Sequence, residues 1–362
     1  LGEELFPKAD HLLLMTATPH KGDPENFRKF LELLDKDVYG DIESLKKAME
    51  RKEAPFYLRR TKEALETFPD PVTGKSKKLF TKRNVVTIPF HIDNDEADLY
   101  NQLTAYVEEQ SMKASQDANK SRGRILGFTM AMLQRRFASS IYALRRSLQR
   151  MKDKRQAILD DPQKYIEEQR RKQLPDNYDD LPDEEQQRIM TDLEDFVAFF
   201  DPDDLREEIE KLGALINMAE VLESREVETK LARLKDEITN QGIFEDPKNK
   251  LLIFTEHTDT LNYLVGKLRE WGLSVTQISG SMKIGDSEER GTRIFAEREF
   301  KESVQIMVAT EAAGEGINLQ FCWFMINYDL PWNPMRLEQR MGRIHRYGQT
   351  NNCLILNFVA EN

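Results

Sequence analysis

The spacing of apolar positions changes twice along the chain, and the changes divide it into three. Residues 1–60 open on His11-Leu-Leu-Leu-Met15, a short apolar run that predicts a buried strand. Thr16-Ala-Thr-Pro19 follows. Phe27, Phe30, Leu31 and Leu34 then recur at helical spacing and predict a helix from Asp23 to Leu34, with Pro24 in its first turn, where no N–H is needed. A strand needs neighbours, and this segment offers few. It is read as the trailing edge of a sheet whose earlier strands precede Leu1, and the chain as a piece of something longer.

Asn84-Val-Val-Thr-Ile-Pro-Phe90 has a β-type pattern. From Asp93 to about Asn240 helical periodicity takes over, clearest where Leu205, Ile209, Leu212, Leu215, Ile216, Ala219 and Leu222 keep one face apolar. Residues 61–240 are read as linker strands followed by a large α-helical insertion. From Lys250, apolar runs at 251–254, 273–278, 304–308, 323–326 and 354–358 alternate with helical patterns at 258–271, 286–300 and 334–345. Such alternation is the sequence form of βαβ units. The expected class is α/β, with a mostly parallel sheet covered on both faces over 241–362.

Composition narrows the picture. A chain of 362 residues can bury two or three cores. The net charge of −11 argues against nucleic acid, but a chain-wide sum hides patches. Lys120 to Arg155 holds eleven Lys and Arg against one acid, Asp153, whereas Asp160 to Glu210 is rich in acids. The basic stretch either tracks phosphates or meets the acidic segment inside its own domain; both readings stand at this point. Cys322 and Cys353 lie in apolar runs and no Cys/His pair has zinc spacing, so both are read as buried thiols of a reducing compartment and no metal site is assigned. No run of about 18 apolar residues and no signal peptide is found, which predicts a soluble, cytoplasmic chain, nucleoid-associated if bacterial.

In open α/β sheets ligands bind outside the carboxyl ends of the strands. After the 304–308 run comes Thr310-Glu-Ala-Ala-Gly-Glu-Gly-Ile-Asn318, where Gly314 and Gly316 let the backbone approach a phosphate or ribose and Thr310 adds a hydroxyl. Alone, this is equally an ordinary strand–helix turn. Asp329-Leu-Pro-Trp-Asn-Pro334 follows the next run, then Gln339-Arg-Met-Gly-Arg-Ile-His-Arg-Tyr-Gly-Gln349. Arg340, Arg343 and Arg346 recur every three residues and are expected on one flank of a helix starting near Pro334. Guanidinium groups so placed can fork onto phosphate oxygens; the plainer reading is a solvated basic face.

These residues carry a resemblance. Thr310–Asn318 resembles motif V and Gln339–Arg346 motif VI of superfamily-two helicases, and Trp332-Asn-Pro334 with the Arg343-to-Gln349 ending resembles the Swi/Snf branch. Leu14–Pro19 is similar to motif III, Leu251–Thr255 to motif IV, Ser279-Gly280 with Arg290 to a nucleic-acid-contacting element, and Leu58-Arg-Arg-Thr-Lys62 to the lobe-linking signature. Met132–Ser140 with Ala143–Leu148 resembles the bacterial subgroup, which includes RNA-polymerase-recycling and phage-defence proteins. The resemblance implies a second RecA-like lobe over 241–362, the helical insertion, and in 1–60 a remnant of a first RecA-like lobe. For the whole protein it implies ATP hydrolysis with Mg2+ and movement along double-stranded DNA, with RNA polymerase or defence-system proteins as further partners and no membrane. Arg343 and Arg346 would be arginine fingers. Gly314, Gly316, Asn318 and Gln339 would meet the nucleotide, and Ser279, Gly280, Thr310, Trp332 and Asn333 the DNA. Thr16, Ala17 and Thr18 would couple the lobes. Trp332 is equally well a core tryptophan.

A phosphate-cradling Gly-x4-Gly-Lys-Ser/Thr loop and an Asp-Glu-x-His pair do not occur in this chain. Gly74-Lys75-Ser76 imitates the first, but Pro69 stands where its leading glycine belongs, and it is read as an exposed turn. The chain alone is expected to hydrolyse negligible ATP. The rival reading is a non-catalytic interaction scaffold with a helicase-like lobe; the Arg343/Arg346 pair, which a scaffold has no physical need to keep, argues against it.

Overall fold

The computed structural model describes residues 11–15, 24–34, 80–115, 120–163, 172–178, 183–194, 201–225, 228–311 and 317–361, with a few single positions between them. The chain forms two compact units, Leu1–Lys77 and Lys78–Asn362.

In the first unit, helix α1 (Pro24–Glu32) buries Phe27 and Leu31, with Phe30 and Leu34 packed against them. Arg28 reaches Glu32 at 2.7 Å one turn on. The strand expected at His11–Met15 is not one. Leu13 and Met15 are exposed, and no strand pairs with the segment among the described residues, so nothing holds it as β-structure. Gly74 is exposed with φ +65°. Thr16, Ala17, Thr18 and the Leu58–Lys62 signature lie outside the described residues.

The second unit contains a six-stranded, all-parallel sheet: β1 (Arg83–His91), β2 (Leu251–Phe254), β3 (Val275–Ile278), β4 (Ile306–Ala309), β5 (Phe324–Asn327) and β6 (Cys353–Glu361), in the order β1-β6-β5-β2-β4-β3. β2, β4 and β5 are buried throughout, as a sheet covered on both faces requires. Period-two alternation sorts them: Leu251 and Ile253 join one core, Leu252 and Phe254 the other. Helices α7 (Thr229–Asn240) and α8 (Thr258–Glu270) cover the first face; α9 (Arg293–Glu302) and α10 (Pro334–Ile344) cover the second. Cys322 and Cys353 are buried in the second core as free thiols, and burial pushes the Cys322 thiol up to about 12.

A separate core is built by α2 (Asn94–Ser115), α3 (Lys120–Ser139), α4 (Ile141–Asp160), α5 (Asp183–Leu193) and α6 (Pro202–Ser224). Ser140 starts α4 by accepting the Ala143 N–H at 3.1 Å, and Asp201 followed by Pro202 starts α6.

Three boundaries differ from the sequence reading. β1, read as a linker strand, pairs in register with β6, from Arg83 opposite Cys353 to His91 opposite Glu361; that partner is 270 residues away and has no local signal. Leu231, Leu234 and Ile238 of α7 pack under the sheet, so its core begins before residue 241. The helix expected from 286 starts at Arg293. Gly285 (φ +58°) and Gly291 (φ +82°) turn the preceding segment, and Asp286 Oδ1 accepts the N–H groups of Glu288 and Glu289.

Candidate functional site

Four parallel strands, β2 to β5, point their carboxyl ends at one cleft of about 1340 Å³. Its walls come from the polar loops after these strands and from α3, α4 and α5 of the helical bundle. Gly280, Thr310, Trp332 and Asn333, four of the five residues assigned to DNA by resemblance, line it together. The fifth, Ser279, is buried beside it with its hydroxyl 3.0 Å from that of Ser281. Thr310 continues the ladder, its N–H donating to the Ile278 carbonyl at 3.1 Å. Trp332 is 77 % exposed, which removes the core-tryptophan reading. Asn333 has a local task as well: its Oδ1 accepts the Met335 N–H at 2.9 Å, capping α10, with Pro334 in the first turn.

Asp329 organises the floor. Its Oδ2 accepts from the Thr255 hydroxyl (2.5 Å), the Ser139 hydroxyl (2.7 Å) and the Glu256 N–H (3.1 Å), while Oδ1 faces Lys230 Nζ at 2.7 Å. Burial alone would raise this carboxyl; the Lys230 charge and these hydrogen bonds bring it down to about 2. Glu256, half-buried beside it, goes the other way, up to about 7, through burial and the neighbouring Asp329 and Glu311 charges. His257 is buried next to both. Neither ring nitrogen has a partner among the described residues, and burial with the Arg136 charge holds it neutral, down to about 3.

The basic and acidic segments do meet. Buried Glu194 takes Arg136 and Arg150, each at 2.9 Å, and the same arginines reach Asp259 at the start of α8 at 3.0 and 2.8 Å. Arg155 meets Glu208 at 2.9 Å.

The arginine triplet is not one flank. Arg340 is buried, ion-paired to Glu311 at 2.7 Å and donating to the Asp329 carbonyl at 2.6 Å. Arg343 is half-buried in the last turn, and Arg346 is exposed beyond the His345 cap. A three-residue step advances 300° on a helix, so each arginine is turned from the last, and the helix ends before the third. Neither Arg343 nor Arg346 lines the cleft. Gln339 and Asn318 are exposed, also away from it, and Asn318 Oδ1 accepts the Gln320 N–H at 3.3 Å. Gly314 and Gly316 lie outside the described residues. The Tyr347-Gly-Gln349 ending has a packing role: Gly348 takes φ +96°, and the Gln349 amide donates to the carbonyls of Gln320, Cys322 and Ile344.

Sequence reasoning missed Glu256, His257 and the hub role of Asp329. The signal was present: Thr255-Glu-His-Thr-Asp259 is a polar run directly after a strand, and the carboxyl-end rule applies to it as to the two clusters that were read.

Residues 229–348 match the family described as helicase conserved C-terminal domain. The uncharacterized ATP-dependent helicase YqhH of Bacillus subtilis is 28% identical over 356 residues, 97% of this chain and 51% of that protein. The RNA polymerase-associated protein RapA of Pseudomonas aeruginosa is 37% identical over 101 residues, 28% of this chain and 10% of that protein. In fold, the helicase domain of Pyrococcus furiosus Hef superposes with a TM-score of 0.51 at 12% identity, covering 96% of this chain and 64% of that one. The chain thus spans about half the length of YqhH and less of RapA.

Proposed function

Taking as premise that this chain belongs to the Swi/Snf-type superfamily-two helicases and carries their C-terminal helicase domain, we propose that it is part of the motor of an ATP-dependent double-stranded-DNA translocase. The observation that carries this reading is the convergence of Gly280, Thr310, Trp332 and Asn333 on one cleft at the strand ends, with cations around it. In the proposed motor this cleft holds the DNA backbone. Arg343 and Arg346 act at a different place, at the end of α10, where one half-buried and one exposed guanidinium suit phosphate oxygens. ATP with Mg2+ would supply the free energy; this chain's part is to neutralise charge that develops on the phosphates. The helical bundle is the insertion of the family, and Leu1–Lys77 includes the end of the first lobe. RNA polymerase is a partner class to test, on the similarity to RapA.

The test is ATP turnover by the whole protein with duplex DNA, duplex RNA or single-stranded RNA added, beside the 362-residue chain. Stimulation by duplex DNA and negligible turnover by the chain alone are expected. Turnover by the chain at a rate matching the whole protein, or stimulation by RNA only, rejects the proposal.

A further inference from the structure

The cations of the bundle are not spent equally. Along α3 and α4, Arg136, Arg145, Arg150 and Arg155 all have carboxylate partners, Arg145 through Glu223 at 2.6 Å. Arg135 has none within ion-pair distance among the described residues. Its guanidinium lies over the exposed Trp332 ring, 5.2 Å from the centroid. That difference matters, because a carboxylate cancels the charge whereas an indole face orients the guanidinium and leaves it positive. Arg188 of α5, inside the acid-rich segment, and Lys283, in the loop after β3, are exposed and likewise without an ion pair among the described residues. Three uncancelled cations from three separate elements therefore line the same cleft. Of the acids there, Glu194 and Asp259 pair with arginines and Glu311 with Arg336 and Arg340, while Asp192 is exposed. Glu256, raised to about 7, is in part protonated at neutral pH. At about 1340 Å³ the cleft exceeds the ~300–1,000 Å³ typical of small-molecule sites and suits an extended polyanion.

Resting on the DNA reading of the cleft, we propose that the helical bundle forms its second wall, with Arg135 and Arg188 gripping the phosphate backbone opposite the strand-end loops and Lys283. The bundle then does more than pack on the sheet: it fixes how a duplex lies against Trp332.

The experiment is fluorescence anisotropy of a labelled 20-base-pair duplex with the full chain over a salt series. Arg135→Gln/Arg188→Gln is expected to bind about tenfold more weakly at 0.1 M salt, with a log–log salt slope shallower by about 2, one per lost phosphate contact. Arg188→Gln alone, at an exposed position, should give about half the change in slope with an unaltered melting temperature, which separates binding from folding. Wild-type affinity and slope in the double variant, with Lys283→Gln or Trp332→Ala weakened, would overturn the second wall and leave the DNA reading standing. If none of the four substitutions alters duplex binding, the cleft reading itself fails. Tighter binding of a polyglutamate peptide than of duplex would overturn the proposal in favour of an acidic protein partner.

Discussion

Lys230 Nζ lies 2.7 Å from Asp329 Oδ1, and this buried pair ties α7 to the loop after β5. Lys230 also donates to the Ala138 carbonyl at 2.7 Å, and Asp329 accepts from Ser139, so the end of α3 is held by the same two residues. Breaking a buried pair leaves one charge uncompensated and costs roughly 3–5 kcal/mol. Asp329→Asn and Lys230→Met should each destabilise by about that much in urea melts, and Lys230→Met/Asp329→Asn by clearly less than the sum. Additive losses would show that the two are not coupled. The Asp329 carboxyl is held down at about 2, below its unfolded value, so its stabilisation is complete above about pH 4 and is lost as pH falls toward 2.

Glu228 predicts the opposite pH dependence. Burial pushes its carboxyl up to about 7, with Glu96 and Glu223 adding to the rise and a Tyr263 hydrogen bond and Lys230 opposing it. A folded-state value above the unfolded one means that the folded chain binds the extra proton between about pH 4.5 and 7, so ionisation of Glu228 removes stability as pH rises through that window. Glu228→Gln should therefore melt above wild type at pH 8, by up to ~3 kcal/mol, and match it at pH 4.5. His257, held neutral, penalises the fold below its usual range in both proteins and cancels in the difference. An offset that does not change with pH would count against a titrating Glu228.

The glycine positions test the loop after β3. A Cβ on Gly285 would sit 2.2 Å from Thr292 Cγ2, and the residue is at φ +58°. Thr292 cannot yield easily, since its Oγ1 donates to the Asp286 and Glu289 carbonyls and accepts the Phe295 N–H that starts α9. Gly285→Ala should cost about 2–4 kcal/mol and weaken duplex binding through the displaced Lys283. Gly291 has nothing within 4 Å of a built Cβ at φ +82°, so Gly291→Ala should cost only the backbone strain, about 1 kcal/mol. Thermal melts of the two variants compare them directly; equal losses would mean that the Thr292 contact is not the cause.

Local physics made the sheet legible in the sequence. The 251–254 strand and the helices at 258–270 and 334–344 match the expected bounds within a residue or two, because short apolar runs and a capped, amphipathic helix are written in adjacent residues. What escaped was non-local. β1 finds its partner across almost the whole chain, and the quartet of Arg136, Arg150, Glu194 and Asp259 is assembled from four elements. The arginine triplet misled for a geometric reason: equal spacing does not mean an equal environment when the helix stops at Ile344.

Arg340 and Arg343 belong to one motif by resemblance, yet the fold gives them different surroundings. Arg340 is 3 % exposed, pairs with Glu311, donates to the Asp329 carbonyl and to Asn327 Oδ1 at 3.3 Å, and lies over the Phe254 ring. A lysine keeps the charge but cannot serve carboxylate, carbonyl and amide oxygens in one planar fork. Arg340→Lys should thus cost about 2–3 kcal/mol of stability, the scale of a lost buried, charge-assisted hydrogen bond. Arg343 is only half-buried, in the last turn of α10. Arg343→Lys should cost less stability than Arg340→Lys, yet lower ATP turnover of the whole protein by roughly 10³-fold if it acts as an arginine finger. Urea melts of the chain and turnover by the whole protein separate the two effects. A large stability loss in Arg343→Lys with normal turnover would reverse the assignment and make Arg343 the structural member of the pair.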